Sequence, residues 1–454
     1  MSKVMTYGGH FRAISVLGLP LIGGHLAQFA IGLTDTVMLG WYGVEALAAV
    51  TLASSYFFVL FLFGAGFGLA VMPMVATAAA EEDETSIRRT TRMGLWLSLI
   101  YAAVMMPMLW WSYPIFLALK QDPQVAETAS QYLRVAGWGL IPALLVMVLK
   151  SYLAALERTQ IVLWITVAAA VVNAFTNYAL IFGNWGAPEL GVMGAAIASV
   201  VTQVVSLVCV VIYAMRVLPE HSLFQRFWRP DWEMFLSVLR LGVPIGLTTL
   251  SEVSLFAMSA IMMGWLGQVP LAAHGIALNL ASATFMVHLG LSNAATIRAG
   301  NALGRKDRPH LERGAIAVTG MSLVISVLTV ILFLVYAEPL ISLFMEPDDP
   351  QRPEILKIGT GLLAMAALFQ LVDGAQVIAL GLLRGLQDAK IPMVMAALSY
   401  WGVGITSSYY FGFVLGMDGI GVWLGLVLGL ACAAVMLMAR FWMRSVREVG
   451  VPAE

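Results

Sequence analysis

Between residues 14 and 440 the chain passes through twelve apolar windows, at about 14–39, 46–73, 93–117, 131–151, 160–182, 190–215, 235–265, 271–297, 314–337, 357–383, 391–413 and 419–440. A helix needs ~20 apolar residues to cross the hydrocarbon core of a bilayer. Backbone polar groups must be satisfied within the span there, so windows of this length are helices. Composition agrees. Only 11% of residues are charged and 60% are hydrophobic, with a mean hydropathy of +0.87, whereas soluble domains carry about 25% charged residues. The expected fold is all-α, an integral membrane protein of twelve transmembrane helices. The first window is too long, and too polar within, to be a cleavable signal. Cys209 and Cys432 both lie inside apolar windows and read as packing residues.

Basic residues set the expected orientation, because Lys and Arg accumulate on the cytoplasmic side. With both termini cytoplasmic, only Lys120, Arg134, Arg352 and Lys357 of the 25 Lys and Arg residues fall outside. The inner set runs from Lys3 and Arg12 through Lys150, Arg298 and Arg384 to Arg447. The longest polar connection, 216–234, reads RVLPEHSLFQRFWRPDWEM and lies on the inner side.

The chain repeats itself. GWYGVEALAA at 40–49 faces GWLGQVPLAA at 264–273, an offset of 224 residues. At that offset Pro20 matches Pro244, Gly66 matches Gly290 and Asp83 matches Asp307. LAALERTQI at 153–161 resembles LLRGLQDAKI at 382–391, and GVMGAAIAS at 191–199 resembles DGIGVWLGL at 418–426. Two six-helix lobes follow: residues 1–215 as the N-terminal lobe, 216–234 as a cytoplasmic linker and 235–454 as the C-terminal lobe. Six spans are an even number, so the halves are parallel repeats, related by an axis along the membrane normal. Gly421, Gly425 and Gly429 form a small-residue stripe in the last span and read as a close helix contact.

Asp35, Glu252 and Asp373 are the carboxylates well inside the spans. A charge there costs ~2.5–3.5 kcal/mol on insertion scales, which makes each a functional candidate. Asp35 shares a helix face with His25, Gln28 and Gly32, candidates to line a cavity. The fifth span carries Thr166, Asn173 and Asn177 on one stripe. At 1.5 Å rise per residue Asn177 reaches a height similar to that of Asp35. Asp35, Asn173 and Asn177, joined by Thr202 of the sixth span, form the expected coupling site of the N-terminal lobe. Either Na⁺ takes these oxygen ligands, with Asp35 as its metal ligand, or the Asp35 carboxyl itself carries a proton. The C-terminal lobe is no chemical copy: Asp35 faces Ser259, and Glu252 faces Gln28. Gln370 and Asp373 share a face of the tenth span, and with Glu252 they form a second candidate cation or substrate site. No intramembrane Lys or Arg is expected at the depth of these acids. His274 and His288 read as interhelical packing histidines.

These features together resemble the multidrug and toxic compound extrusion (MATE) family. The resemblance covers nearly the whole chain. It rests on the two six-helix lobes, on a GLP motif fifteen residues before the Asp of TDTVMLGWYG, and on Glu252 and Asp373, which look like the acids of the NorM-type branch. Other branches carry a carboxylate at the position of Asn177. The resemblance implies a multidrug antiporter that exports bulky, often cationic, amphipathic compounds against H⁺, the preferred partner, or Na⁺. It also implies alternation of the two lobes between outward- and inward-open forms.

Pro20 removes a helix hydrogen bond and leaves a point where the first helix can bend. The expectation is that the cation bound at Asp35 biases that bend. The expected setting is a bacterial inner membrane, with drugs, H⁺ or Na⁺ and the bilayer as partners, and no cofactor, nucleic acid or catalytic residue. A monomer is expected. Two other readings stand beside this one. A lipid-linked oligosaccharide flippase of related architecture calls for a basic cavity. A membrane enzyme calls for a motif such as HExxH, GxSxG or a P-loop, and none is present.

Overall fold

The computed structural model describes residues 5–348 and 350–450, with only the backbone of Val44. Lys3 lies outside the described residues. Those described form helices and turns, with no strand among them. Among the described residues, eleven helices are long and apolar enough to span a bilayer. We label the spans α1 Tyr7–Tyr42, α2 Val44–Ala80, α3 Glu84–Trp110, α4 Pro123–Ala155, α5 Thr159–Phe182, α6 Val192–Val217, α7 Trp232–Leu266, α8 Gln268–Gly304, α9 Arg308–Val335, α10 Arg352–Gly385, α11 at 390–414 and α12 Asp418–Glu448. The eleven are joined by α11, which completes the expected twelve. It winds as a π-helix over Leu398–Ile405 and Tyr410–Val414. Periodicity alone does not reveal such winding. Short helices at Ser112–Ala118 and Ala337–Ser342 precede α4 and α10.

The repeat is visible in the turns. After α2, Glu82 takes a left-handed φ of 58°, and Asp83 N–H donates to Ala78 C=O at 2.9 Å. After α8, Lys306 (φ 53°) and Asp307, bonded to Ala302 C=O at 3.0 Å, do the same. Both aspartates then cap the next helix, Asp83 accepting from Ser86 N–H and Asp307 from His310 N–H. Each therefore satisfies one of the amides orphaned at a helix start. The α4–α5 and α10–α11 turns also match, with Glu157 at φ 62° and Gln387 at φ 59°.

The chain divides into two compact units, one of residues Gly23–Gly246 and the other ending at Ile22 and resuming at Leu247. The boundaries fall inside α1 and α7, two residues after Pro20 and Pro244, and they obey the 224-residue offset. Both helices run on without interruption through their prolines. The segments before the boundaries therefore pack with the other half of the repeat. A Cβ on Gly66 of α2 would stand 2.5 Å from Gly242 C=O and 2.6 Å from Gly246 N of α7. A Cβ on Gly290 of α8 would stand 2.7 Å from Ile22 N of α1. The matched glycines are thus close-approach points, where only a missing side chain lets two helix backbones meet. The stripe on α12 acts likewise: Gly421, Gly425 and Gly429 face Phe411, Ser408 and Gly404 of α11.

The connection 216–234 is pinned to α3. Arg92 donates to the carbonyls of Leu223 (2.6 Å), Ser222 (2.7 Å) and Gln225. Trp96 Nε1 donates to Phe227 C=O at 2.8 Å, with the two rings stacked at 5.2 Å. Arg89 bonds Asp231 at 2.5 Å. These bonds hold the Asp231 carboxyl below the usual carboxylate range.

Candidate functional site

In the unit Gly23–Gly246, α1 and α5 lie side by side and run in the same sense. Their register follows from two contacts. A Cβ on Gly23 would stand 2.9 Å from Leu163 Cδ1, and Asp35 meets Asn173 and Asn177. Asn173 Nδ2 donates to Asp35 Oδ1 at 3.1 Å, and Asn177 Nδ2 donates to the same oxygen at 2.5 Å. Asn177 Nδ2 also lies 3.3 Å from Asn173 Oδ1. The i, i+4 spacing puts both amides on one face, so one carboxylate oxygen can collect both. Asp35 is half-buried, while Asn173 and Asn177 are buried. Asn177 Oδ1 is buried and accepts from no donor among the described residues. Anionic acceptors strengthen such bonds to ~1.5–3 kcal/mol each, so the ionised acid fastens α1 to α5.

The other expected members are placed differently. Thr202 is buried on α6, but its hydroxyl donates to Ala198 C=O in its own helix and leaves Asp35 alone. Gln28 and Gly32 are exposed on the Asp35 face of α1, and Gly32 has open space beside it. His25 lies lower on that helix, within electrostatic reach of Lys150.

The second unit brings Glu252 of α7 and Asp373 of α10 within electrostatic reach of each other. Glu252 Oε1 and Asp373 Oδ1 are both buried without a hydrogen-bond partner among the described residues. Gln370 turns away and donates to Ala281 C=O of α8 at 3.1 Å. The expectation that no cation lies at this depth is corrected by Arg384, which is buried on α10 beside Glu252. Gln376 and Tyr400 complete the group: Gln376 Nε2 donates to Tyr400 Oη, and both are buried. Asp373, Gln376 and Arg384 sit at steps of three and eight, one helical face. That spacing is the signal in the sequence that ties Gln376 and Arg384 to Asp373.

At Ser259, the repeat counterpart of Asp35, a packing cluster replaces the acid. Ser259 Oγ donates to Phe256 C=O at 2.7 Å and lies 3.5 Å from His274 Nε2. Trp423 Nε1 donates to His274 Nδ1 at 3.0 Å. His288 likewise bonds Ser322 at 2.9 Å. Both are interhelical, as their sequence positions suggest.

Twelve apolar helices in a twofold repeat, each half carrying polar groups deep within it, have the architecture of a membrane transporter. The chain belongs to the MatE family, whose model matches residues 20–179 and 244–410, two segments that begin 224 residues apart. It is 44% identical over 446 residues to the probable multidrug resistance protein NorM of Rhizobium meliloti (strain 1021), covering 98% of this chain and 96% of that one. It is 45% identical over 442 residues to the NorM of Agrobacterium fabrum, covering 97% and 95%. Among solved structures, a MATE protein in the straight conformation superposes with a TM-score of 0.88 at 20% identity, covering 97% of each chain. An outward-facing multidrug resistance MATE transporter gives 0.87 at 21% identity, again covering 97% of each.

Proposed function

We propose that this chain is a secondary active multidrug efflux antiporter of a bacterial inner membrane, with both termini cytoplasmic. It exports amphipathic, often cationic compounds in exchange for H⁺ in preference to Na⁺. The observation that carries this reading is the double amide clamp on Asp35. Both amides present N–H to the acid, a lining that suits a carboxyl group better than a bare cation, which needs oxygens. Asn177 Oδ1, buried and unpartnered, is an acceptor for the O–H that Asp35 gains on protonation.

The proton acts through the difference between the two forms of Asp35. Ionised, it holds α1 on α5 through two charge-assisted bonds. Neutral, it keeps these two as weaker bonds of ~0.5–1.5 kcal/mol each and adds a third of that strength, from its own O–H to Asn177 Oδ1. Proton uptake therefore releases only about 1.5 kcal/mol of α1–α5 attachment, enough to shift a two-state helix equilibrium roughly tenfold. Pro20 gives α1 a weak point at which the second state can bend. The bend narrows the N-terminal pocket and expels the drug outward. Glu252 and Asp373 form a second cation or substrate site, with Arg384 bounding its charge.

The test is efflux of a fluorescent organic cation from proteoliposomes under a pH gradient or a Na⁺ gradient, imposed separately. The pH gradient should drive export. Export under neither gradient would sink the antiport reading, and export under Na⁺ alone would reverse the choice of ion.

A further inference from the structure

The α1–α5 seam carries a charge that the coupling scheme above does not use. Lys150, near the end of α4, donates from Nζ to Thr166 Oγ1 at 2.8 Å. Thr166 gives its own hydroxyl proton to Val162 C=O at 2.8 Å, so its oxygen can only accept from Lys150. Among the described residues Lys150 makes no ion pair. The titratable side chain that feels its charge is His25 of α1. Thr166, Asn173 and Asn177 lie at steps of seven and four, one face of α5. His25 and Asp35 belong to the facing stripe of α1. The seam therefore has an acid at one end and an uncompensated ammonium at the other, roughly 10–15 Å apart on helical rise.

We propose that Lys150 is the electrostatic stop of this seam, whose ammonium bars the coupling cation from running on past Asp35 to the α4–α5 side when no drug is exchanged. This rests on the coupling role of Asp35 proposed above. A cation leaving Asp35 along the two stripes must approach a fixed charge that no carboxylate offsets. The described protein offers it His25 and Thr166 on the way, neither of them anionic. At an effective dielectric of ~20, a unit charge ~12 Å away changes the occupancy of such a path about tenfold. An antiporter lacking the stop would still bind cation and drug, but it would dissipate the gradient between exchanges.

The full-length protein is reconstituted in liposomes holding pyranine or a Na⁺-sensitive dye, and cation entry is recorded without drug. Lys150→Met should raise entry about tenfold. Lys150→Arg, which keeps the charge, should leave it at the parental level. Adding Asp35→Asn to Lys150→Met should return entry to the parental level. Lys150→Gln replaces the Met variant if that one does not reconstitute. A neutral variant as tight as the parent overturns the proposal. So does an Arg variant that leaks like Met, the outcome expected if Lys150 relays protons or merely packs, and so does a leak that persists with Asp35→Asn. Drug efflux by Asp35→Asn alone is scored separately. Retained efflux there removes the coupling reading, and the stop with it. Lost efflux there together with a tight Lys150→Met removes the stop alone.

Discussion

Asp35 and Ser259 occupy the same place in the repeat, yet they sit in opposite kinds of surroundings. Around Asp35 two amides converge on a single oxygen and leave another acceptor unused. Around Ser259 the hydroxyl is spent on its own helix, and His274 is locked by Trp423. The duplicated scaffold reproduces helices, turns and glycine contacts, but it does not reproduce the ionisable group. Architecture and chemistry are therefore separable in this fold. The acids of the other unit stand elsewhere, on α7 and α10, where Arg384 lies within electrostatic reach of Glu252.

That separation can be broken or sharpened by substitution. The largest effect should come from Asp35→Asn, which keeps the shape but cannot change charge. Gradient-driven efflux should fall by ~100-fold, the scale of losing a proton-transfer group, and Ser259→Asp in the same chain should not restore it. Rescue by Ser259→Asp would erase the distinction between the two places. Next, Gly66→Ala and Gly290→Ala should each cost about 1–3 kcal/mol through overpacking against backbone that cannot yield, read as lower melting temperatures in detergent. Similar losses would show that the scaffold is symmetric where the chemistry is not.

A smaller effect is expected at Asp231, where a partly exposed ion pair is worth about 0.2–1 kcal/mol. Arg89 depresses this carboxyl, so its contribution is complete above the unfolded aspartate value near ~4. It fades as pH falls from there through the lower folded value. The stability gap between parent and Asp231→Asn should be open at neutral pH and should close in strong acid. The smallest effect on transport is expected from Ser259→Ala, which removes a buried hydroxyl bonded within its own helix: it should cost about 0.5–1.5 kcal/mol of stability and leave efflux unaltered.

The fold was legible because membrane spans and their repeat are written in long apolar windows and matched Gly, Pro and Asp positions. The Asp35 cluster was legible for a local reason: amides at i and i+4 can reach only one face, and simple rise gives their height. Thr202 donates its hydroxyl to the i−4 carbonyl of its own helix, a competing acceptor that no pattern of residue types reveals. Arg384 was counted as an end charge, since span boundaries from hydropathy drift by a few residues. One turn of drift carries a guanidinium from the surface to the side of Glu252. The π-winding of α11 leaves no signature in hydrophobic periodicity, so the residue pattern shows no sign of it.

The unit boundaries at Ile22 and Gly246 have a consequence for the protein as a made object. Each half of the repeat lends the opening segment of its first helix to the other compact unit, a reciprocal exchange within one chain. A polypeptide severed in 216–234 would yield two fragments, neither owning all the pieces of a finished unit. Such fragments should be unstable when made singly and should recover transport when made together. The protein is thus a covalently joined pair whose members complete each other, and the linker pinned by Arg92 keeps them at one-to-one stoichiometry.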